Sequence, residues 1–330
     1  MLHFVPVLTR TGSPHPAIAA LPFATQIVGV AVVLGLQGLL PRIALHPAAT
    51  LDFVAAVTLL AWVVMRARRT LGSPHPGWRW YAGALVLFAS ALVTVPLFIS
   101  GIFALAARNV HLHLNTLGFV GLAALGTLPV LLPTALGRPD SQAAHWLRRR
   151  LPVAFAGVAA AAGGAAFGSP LALIGAAFLA VTAFGLLVHW GRSFGWRSLL
   201  ADGAAAPLCS ALAFYGALQF AGGFHAGASS LVASANLLPA FAIGFLLPLV
   251  SGALTQLLPV WRWPGPATPA RQEMRHRLAR CGRLRAVLLP VGGFLAIGNL
   301  VLPALGLAAL ALALFVADLV FALRAKLPAR

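Results

Sequence analysis

Acidic side chains are almost absent from this chain: Asp52, Asp140, Asp202, Glu273 and Asp318 are the only five in 330 positions. Charged residues of both signs make up 8% of it, where a soluble globular domain carries about 25%. With so few carboxylates there is no paired-carboxylate constellation for general acid and base work, and no phosphate-binding glycine loop or nucleophile elbow is present either. Cysteine is equally scarce. Cys209 and Cys281 lie far apart with no CxxC, which excludes a disulfide framework and a thiolate metal site. The only tyrosines are Tyr81 and Tyr215. The first twenty residues lack a basic start, an apolar stretch and a small-residue cleavage site, so no removable signal peptide is expected.

What fills the space is apolar. Hydrophobic residues make up 60% of the chain and its mean hydropathy is +0.93, more apolar surface than a water-soluble fold can hide. A helical crossing of the bilayer needs about 20 mostly apolar residues. Runs bounded by Pro, Gly or Arg predict helices over about 19–41, 49–65, 80–106, 111–137, 151–167, 170–190, 204–222, 230–260, 285–302 and 303–323. The expected fold is therefore all-α, a polytopic integral membrane bundle of about ten transmembrane helices forming a single domain over 1–330.

The basic residues number 23, of which 22 are Arg, giving a net charge of +18. In a soluble protein such a balance would point to nucleic acid. Here the Arg residues sit between membrane-length runs, where they act as topology signals, and no nucleic-acid partner is expected. With the N-terminus in the cytoplasm, only Arg42 and Arg108 lie outside and the remaining 21 of 23 fall inside. That bias places both termini in the cytoplasm and the chain in a bacterial inner membrane. The longest loop, Trp261 to Arg285, is then cytoplasmic, proline-rich at its start and basic thereafter.

Two internal repetitions stand out. Gly118-Phe119 to Leu131-Leu132-Pro133 aligns with Gly244-Phe245 to Leu257-Leu258-Pro259 at a spacing of 126 residues, with seven identities in sixteen, which suggests a parallel repeat of four helices. Gly-Ser-Pro-His-Pro occurs at 12–16 and again at 72–76. Proline-rich turns account for that repetition better than paired His15 and His75 ligands do. Asp318 is the one acid inside a span, where pairing with nearby Arg324 is expected. Gly244, Pro248, Ser251, Thr255 and Pro259 make one small, polar face suited to close helix packing.

The histidines carry the chemistry. On the topology above, His46, His111, His113 and His225 all fall on the outer side, and neutral imidazole is the commonest metal ligand. They form a candidate metal or haem site. Outer loops also hold polar residues for no such reason, and for His46 and His225 the two readings stand level. For His46, nearby Asp52 could orient the second ring nitrogen. His111 and His113 open their helix in the run Asn109-Val-His-Leu-His-Leu-Asn115. Residues two apart on an α-helix point about 200° apart, so each ring would serve a different centre, with Asn115 one turn below His111.

This stretch, His111-Leu-His113 followed by Gly126, Pro133 and Gly137, resembles one helix of haem-copper oxidase subunit I. The resemblance implies that His111 ligates a high-spin haem and His113 a low-spin haem. It covers about 27 residues, and the chain departs from that family in lacking its copper-centre His-His and His-x-x-x-Tyr patterns, so oxygen reduction is not expected. A broader similarity covers both repeated segments: His113-Leu-Asn115-Thr-Leu-Gly-Phe-Val-Gly, and Gly244-Phe-Leu with Ser251-Gly-Ala-Leu and Leu257-Leu-Pro259, look like the membrane region of bacterial cupredoxin-fused copper oxidases. That similarity implies a periplasmic cupredoxin or cytochrome as partner. The expected function is a membrane-embedded protein holding haem b or copper near the periplasmic face and passing electrons there, with a quinone as a further candidate partner. A metal or small-molecule permease and a structural or assembly subunit without a cofactor are the alternatives.

Overall fold

In the computed structural model, residues 1–41, 45–227 and 234–324 are described, and among them every regular element is a helix. Arg42, counted above as external, and Lys326 and Arg330, two of the 21 basic residues counted as cytoplasmic, lie outside these residues. In chain order the helices are α1 (Phe4–Leu8), α2 (Pro16–Leu36), α3 (Leu45–Arg68), α4 (Gly77–Ile99), α5 (Ala104–Ala135), α6 (Ala143–Phe167), α7 (Leu171–Phe194), α8 (Trp196–Ala201) and α9 (Ala205–Gly227). There follow α10 (Ser234–Ala240, Phe241–Leu246 and Leu247–Arg262), α11 (Pro269–Ala279), α12 (Gly282–Ile297) and α13 (Val301–Arg324).

Among the described residues nine of these helices are long and apolar enough to cross a membrane. The chain is a multi-pass helical membrane protein. Its outward surface agrees with that solvent: Phe23 and Ile27 on α2 are more than 70% exposed, which a bilayer favours and water would penalise. The tenth expected span is helical but short. At 16 residues α12 rises about 24 Å, less than a hydrocarbon core of about 30 Å. The loop after Arg262 contains a feature that apolar periodicity does not reveal. Its basic half folds as α11, with Thr268 accepting a hydrogen bond from the Arg271 N–H at its start and with Met274 and Leu278 buried against Ala322 of α13.

The chain clusters into two compact units, Met1–Thr127 with Ser141–Phe178, and Leu128–Asp140 with Leu179–Arg330. In the first, Trp80 of α4 stacks on Trp146 of α6 at 5.7 Å and donates its indole N–H to the Leu147 carbonyl, while Tyr81 shares a hydrogen bond with Thr127. In the second, Phe214 of α9 packs edge-on against Phe294 of α12, and Tyr215 meets Phe245.

The 126-residue repetition extends well beyond the sixteen aligned residues. Leu45–Arg68 and Leu171–Phe194 are both 24 residues long and start 126 apart. Both long helices also widen into a π-helical segment at matching places, Leu114–Gly121 in α5 and Phe241–Leu246 in α10. The repeated glycines explain why the sequence recurs there. A Cβ at Gly118 would press on Leu87 and one at Gly126 on Trp80, both on α4; at Gly244 it would overlap Phe214 and at Gly252 it would crowd Leu208, both on α9. Each long helix thus seats its glycine face on the span that precedes it.

Candidate functional site

The π-helical turn of α5 begins at Leu114, directly after the His-x-His pair. Such turns recur at functional sites, because the extra residue in the turn alters which way the flanking side chains face. All of His111, His113 and Asn115 are half-buried. His111 reaches across to α4: its Nδ1 lies 2.9 Å from the Ala91 carbonyl oxygen. A carbonyl only accepts, so Nδ1 carries the proton and Nε2 presents its lone pair. That lone pair accepts the Asn115 amide at 3.0 Å, and the same amide donates to the His111 carbonyl.

His113 is fixed in the same tautomer by a different bond. Its Nδ1 donates to the Asn109 carbonyl at 2.8 Å, one turn back on its own helix, while the Asn109 side chain donates to the Ala165 carbonyl of α6. Asn109 therefore locks the start of α5 onto α6 and orients His113. In both imidazoles Nε2 is the nitrogen that carries no proton, and donation of Nδ1–H to a main-chain carbonyl is how metal-bound histidines are commonly held.

The outer-loop histidines are placed otherwise. His46 stands exposed in the first turn of α3, its carbonyl accepting from the Thr50 hydroxyl. Asp52 lies six residues further along that helix, buried, and its Oδ1 has no hydrogen-bond partner among the described residues. His225 is in the last turn of α9, with a buried Nδ1 that has no partner among the described residues. Nowhere among the described residues do three or more His, Cys, Asp or Glu side chains form a group that could hold a metal ion. What α5 offers is two imidazoles.

That arrangement distinguishes the two cofactor classes. A copper site made of protein ligands needs a set such as two His and a Cys, and the described residues do not provide one. A haem brings its own equatorial nitrogens and asks the chain only for axial side chains. The α5 histidines fit the second need, provided the Asn115 amide swings off His111.

The repeated Gly-Ser-Pro-His-Pro segments have a plain explanation. His15 Nδ1 accepts from the Ala17 N–H and His75 Nδ1 from the Gly77 N–H, both at 3.3 Å, so each histidine closes the turn that leads into a helix. Asp318 is another correction. Its buried carboxylate accepts the Cys281 N–H at the start of α12, so it anchors a helix joint, where a pairing with Arg324 was expected.

Sequence reasoning missed a polar seam in the second unit. Arg275 of α11 donates to Asp202 at 2.7 Å, to the Gln256 side chain at 2.8 Å and to the Ala135 carbonyl at 2.6 Å. Asp202 also accepts from the Ala204 and Ala205 N–H groups, capping α9. Arg285 is fully buried on α12: one Nη donates to the Leu278 carbonyl at 2.9 Å, the guanidinium lies 4.6 Å over the Phe315 ring, and Nε and the other Nη have no partner among the described residues. The signal was present in the sequence as an Arg at the edge of an apolar run, but an Arg there reads equally as a membrane-flanking charge. No protein-family model, curated protein or solved structure matches the chain.

Proposed function

We propose that this protein is a membrane-embedded haem-binding protein that takes part in electron transfer near the end of the bundle where α5 begins. The observation that carries the reading is the shared tautomer of His111 and His113: both donate Nδ1–H to main-chain carbonyls and present Nε2 for coordination. His111 and His113 are the residues that would hold the haem iron, His111 only after the Asn115 amide gives up its Nε2 contact. When bound, the haem would supply a one-electron couple whose potential responds to its axial ligands and to the apolar shell. The chain's own part is to orient the two rings, hold each Nδ1 proton on its carbonyl, and exclude water with the surrounding apolar side chains. In this reading the start of α5 faces the periplasm of a bacterial inner membrane, both termini are cytoplasmic, and the exchange partner is a periplasmic cupredoxin or cytochrome, with a quinone as a membrane-soluble alternative. Copper would need ligands beyond the α5 pair.

A second reading has its own support. His111 already has both ring nitrogens satisfied, by Ala91 and Asn115, as a purely structural histidine would. The two separate on purification in mild detergent, with reduced-minus-oxidised visible spectra and metal analysis. A reducible haem band that His113→Ala removes while the protein stays folded supports the haem reading. Absence of both haem and copper from protein expressed with ample haem would overturn it and leave a structural or assembly subunit.

A further inference from the structure

The second unit holds a basic cleft of about 320 Å³, lined by Ala201, Gly203 and Ala279 as its floor and by Asp202, Arg275, His276, Arg280 and Arg283 around it. Its charge is not balanced internally. Asp202 is the only acid in the lining and is taken up by Arg275, which leaves the two guanidinium groups of Arg280 and Arg283, both exposed. Glu273, the nearest acid in sequence on α11, is itself paired with Arg277 at 2.6 Å. The cleft is rigid where it needs to be: a Cβ on Gly282 would collide with the Gly203 carbonyl and one on Gly203 with the Ala279 carbonyl. The joint between α11 and α12 therefore sits tightly on the turn before α9, and Arg280 and Arg283 flank that fixed joint.

The surface that continues from the cleft is apolar on both sides. Leu284 follows Arg283 directly, and Val287, Val291 and Phe294 extend one exposed stripe down α12 at steps of three and four residues. On the other side Leu200 and Trp196 of α8, both at least half exposed, lead away from Ala201. A basic pocket opening onto apolar stripes is shaped for an amphiphile with an anionic head. The stripe, like Phe23 and Ile27 of α2, faces the bilayer, from which a phospholipid reaches the arginines with its acyl chains still in apolar surroundings.

We infer that this cleft binds the phosphate of an anionic phospholipid, with the acyl chains lying along the Leu284 to Phe294 stripe. Arg280 and Arg283 contact the phosphate, and Arg275, held by Asp202 and Gln256, forms the back wall. The inference stands apart from the haem reading, since it uses none of the α5 residues. Its test is lipid-dependent thermal stability of the whole protein in detergent, titrated with phosphatidylglycerol, phosphatidylcholine or inorganic phosphate. Phosphatidylglycerol should stabilise the native protein in a saturable way and phosphatidylcholine should not. At about fivefold per basic residue near a membrane surface, Arg280→Gln with Arg283→Gln should weaken the apparent affinity about thirtyfold. Both side chains are exposed, so this variant keeps its fold; the pair Arg148→Gln with Arg149→Gln, exposed on α6, is the control. An equal loss in the control, or equal stabilisation by phosphatidylcholine, would overturn the site. Saturable protection by inorganic phosphate without lipid would also overturn it, because the occupant would then be a soluble anion.

Discussion

Replacing Arg285 by methionine should cost less stability than replacing it by alanine. The guanidinium makes one good hydrogen bond, to the Leu278 carbonyl at 2.9 Å, and a weaker approach to Thr255 at 3.4 Å. Losing a charged hydrogen bond of this kind costs about 1.5–3 kcal/mol. Its position 4.6 Å over Phe315 contributes about 2 kcal/mol in a desolvated setting. Against these stand Nε and one Nη, buried without partners, each carrying a penalty of about 1–3 kcal/mol that methionine removes. Methionine thus gives up the polar contacts but also removes the buried unpaired nitrogens, and it keeps most of the stem packing. Asp318 keeps the Cys281 N–H in either variant and loses the attraction of the guanidinium in both, so that loss does not separate them. Alanine loses the stem as well and should cost about 2–5 kcal/mol from the cavity alone. Equilibrium unfolding in mixed micelles, followed by far-ultraviolet circular dichroism, reads both. If Arg285→Met destabilised as much as Arg285→Ala, the two nitrogens would have to be satisfied in the native protein, and the reasoning would fail.

Three further outcomes follow from named contacts. Gly126→Val and Gly244→Val should each destabilise by about 1–3 kcal/mol or more, since the new side chain overlaps Trp80 in one case and Phe214 in the other, whereas Gly29→Ala, with open space around it, should be neutral in the same unfolding assay. Burial, and secondarily Arg148, holds the His75 pKa below its ordinary value of 6.5. Below pH 6.5 the unfolded chain therefore binds more protons than the folded one, stability falls as pH drops from 7 toward the lowered folded value, and His75→Gln should flatten that slope in a pH series of unfolding curves. Reporter fusions after Arg69, Arg150, Arg197 and Arg280 should read cytoplasmic and those near Arg108 and His225 external; a cytoplasmic signal near His225 would break the orientation used to place the haem.

The spans were legible because a bilayer imposes one rule on all of them. Expected runs at 49–65, 170–190 and 204–222 became Leu45–Arg68, Leu171–Phe194 and Ala205–Gly227, longer by about one to two turns because helices continue through the polar flank that hydropathy discounts. The misses share a different cause. Helix α11 has no apolar run, and what makes it helical is a threonine cap and two buried residues docked on α13, which only the fold supplies. Arg285 was counted as a flanking charge because distance along the chain from Gly282 does not tell which face of α12 turns inward; the tight seat of Gly282 on Gly203 belongs to the joint that decides it. For the histidines the residue types were visible, but the tautomer was not. It depends on Ala91 and Asn109 carbonyls that no spacing rule connects to an imidazole.

The recurrence at 126 residues bears on where function resides. Gly118, Gly126, Pro133 and the π-helical turn of α5 all have counterparts in α10, so these features belong to a packing scheme used twice. His111, His113 and Asn115 do not: the positions 126 further on are Leu237, Pro239 and Phe241. A scheme required only for packing would have no need of imidazoles in one copy when apolar residues serve in the other. The first copy instead places three polar side chains at half-buried depth, where unpaired groups are costly, and meets that cost with bonds to Ala91, Asn109 and one another. Of the haem-copper oxidase resemblance, Gly126 and Pro133 thus recur with the packing scheme, and the His-x-His pair does not. On the proposed haem reading, exchanging His111, His113 and Asn115 for leucine, proline and phenylalanine should leave the protein inserted and helical while abolishing any haem that the native protein carries; a variant that kept such a haem would assign it to residues outside α5.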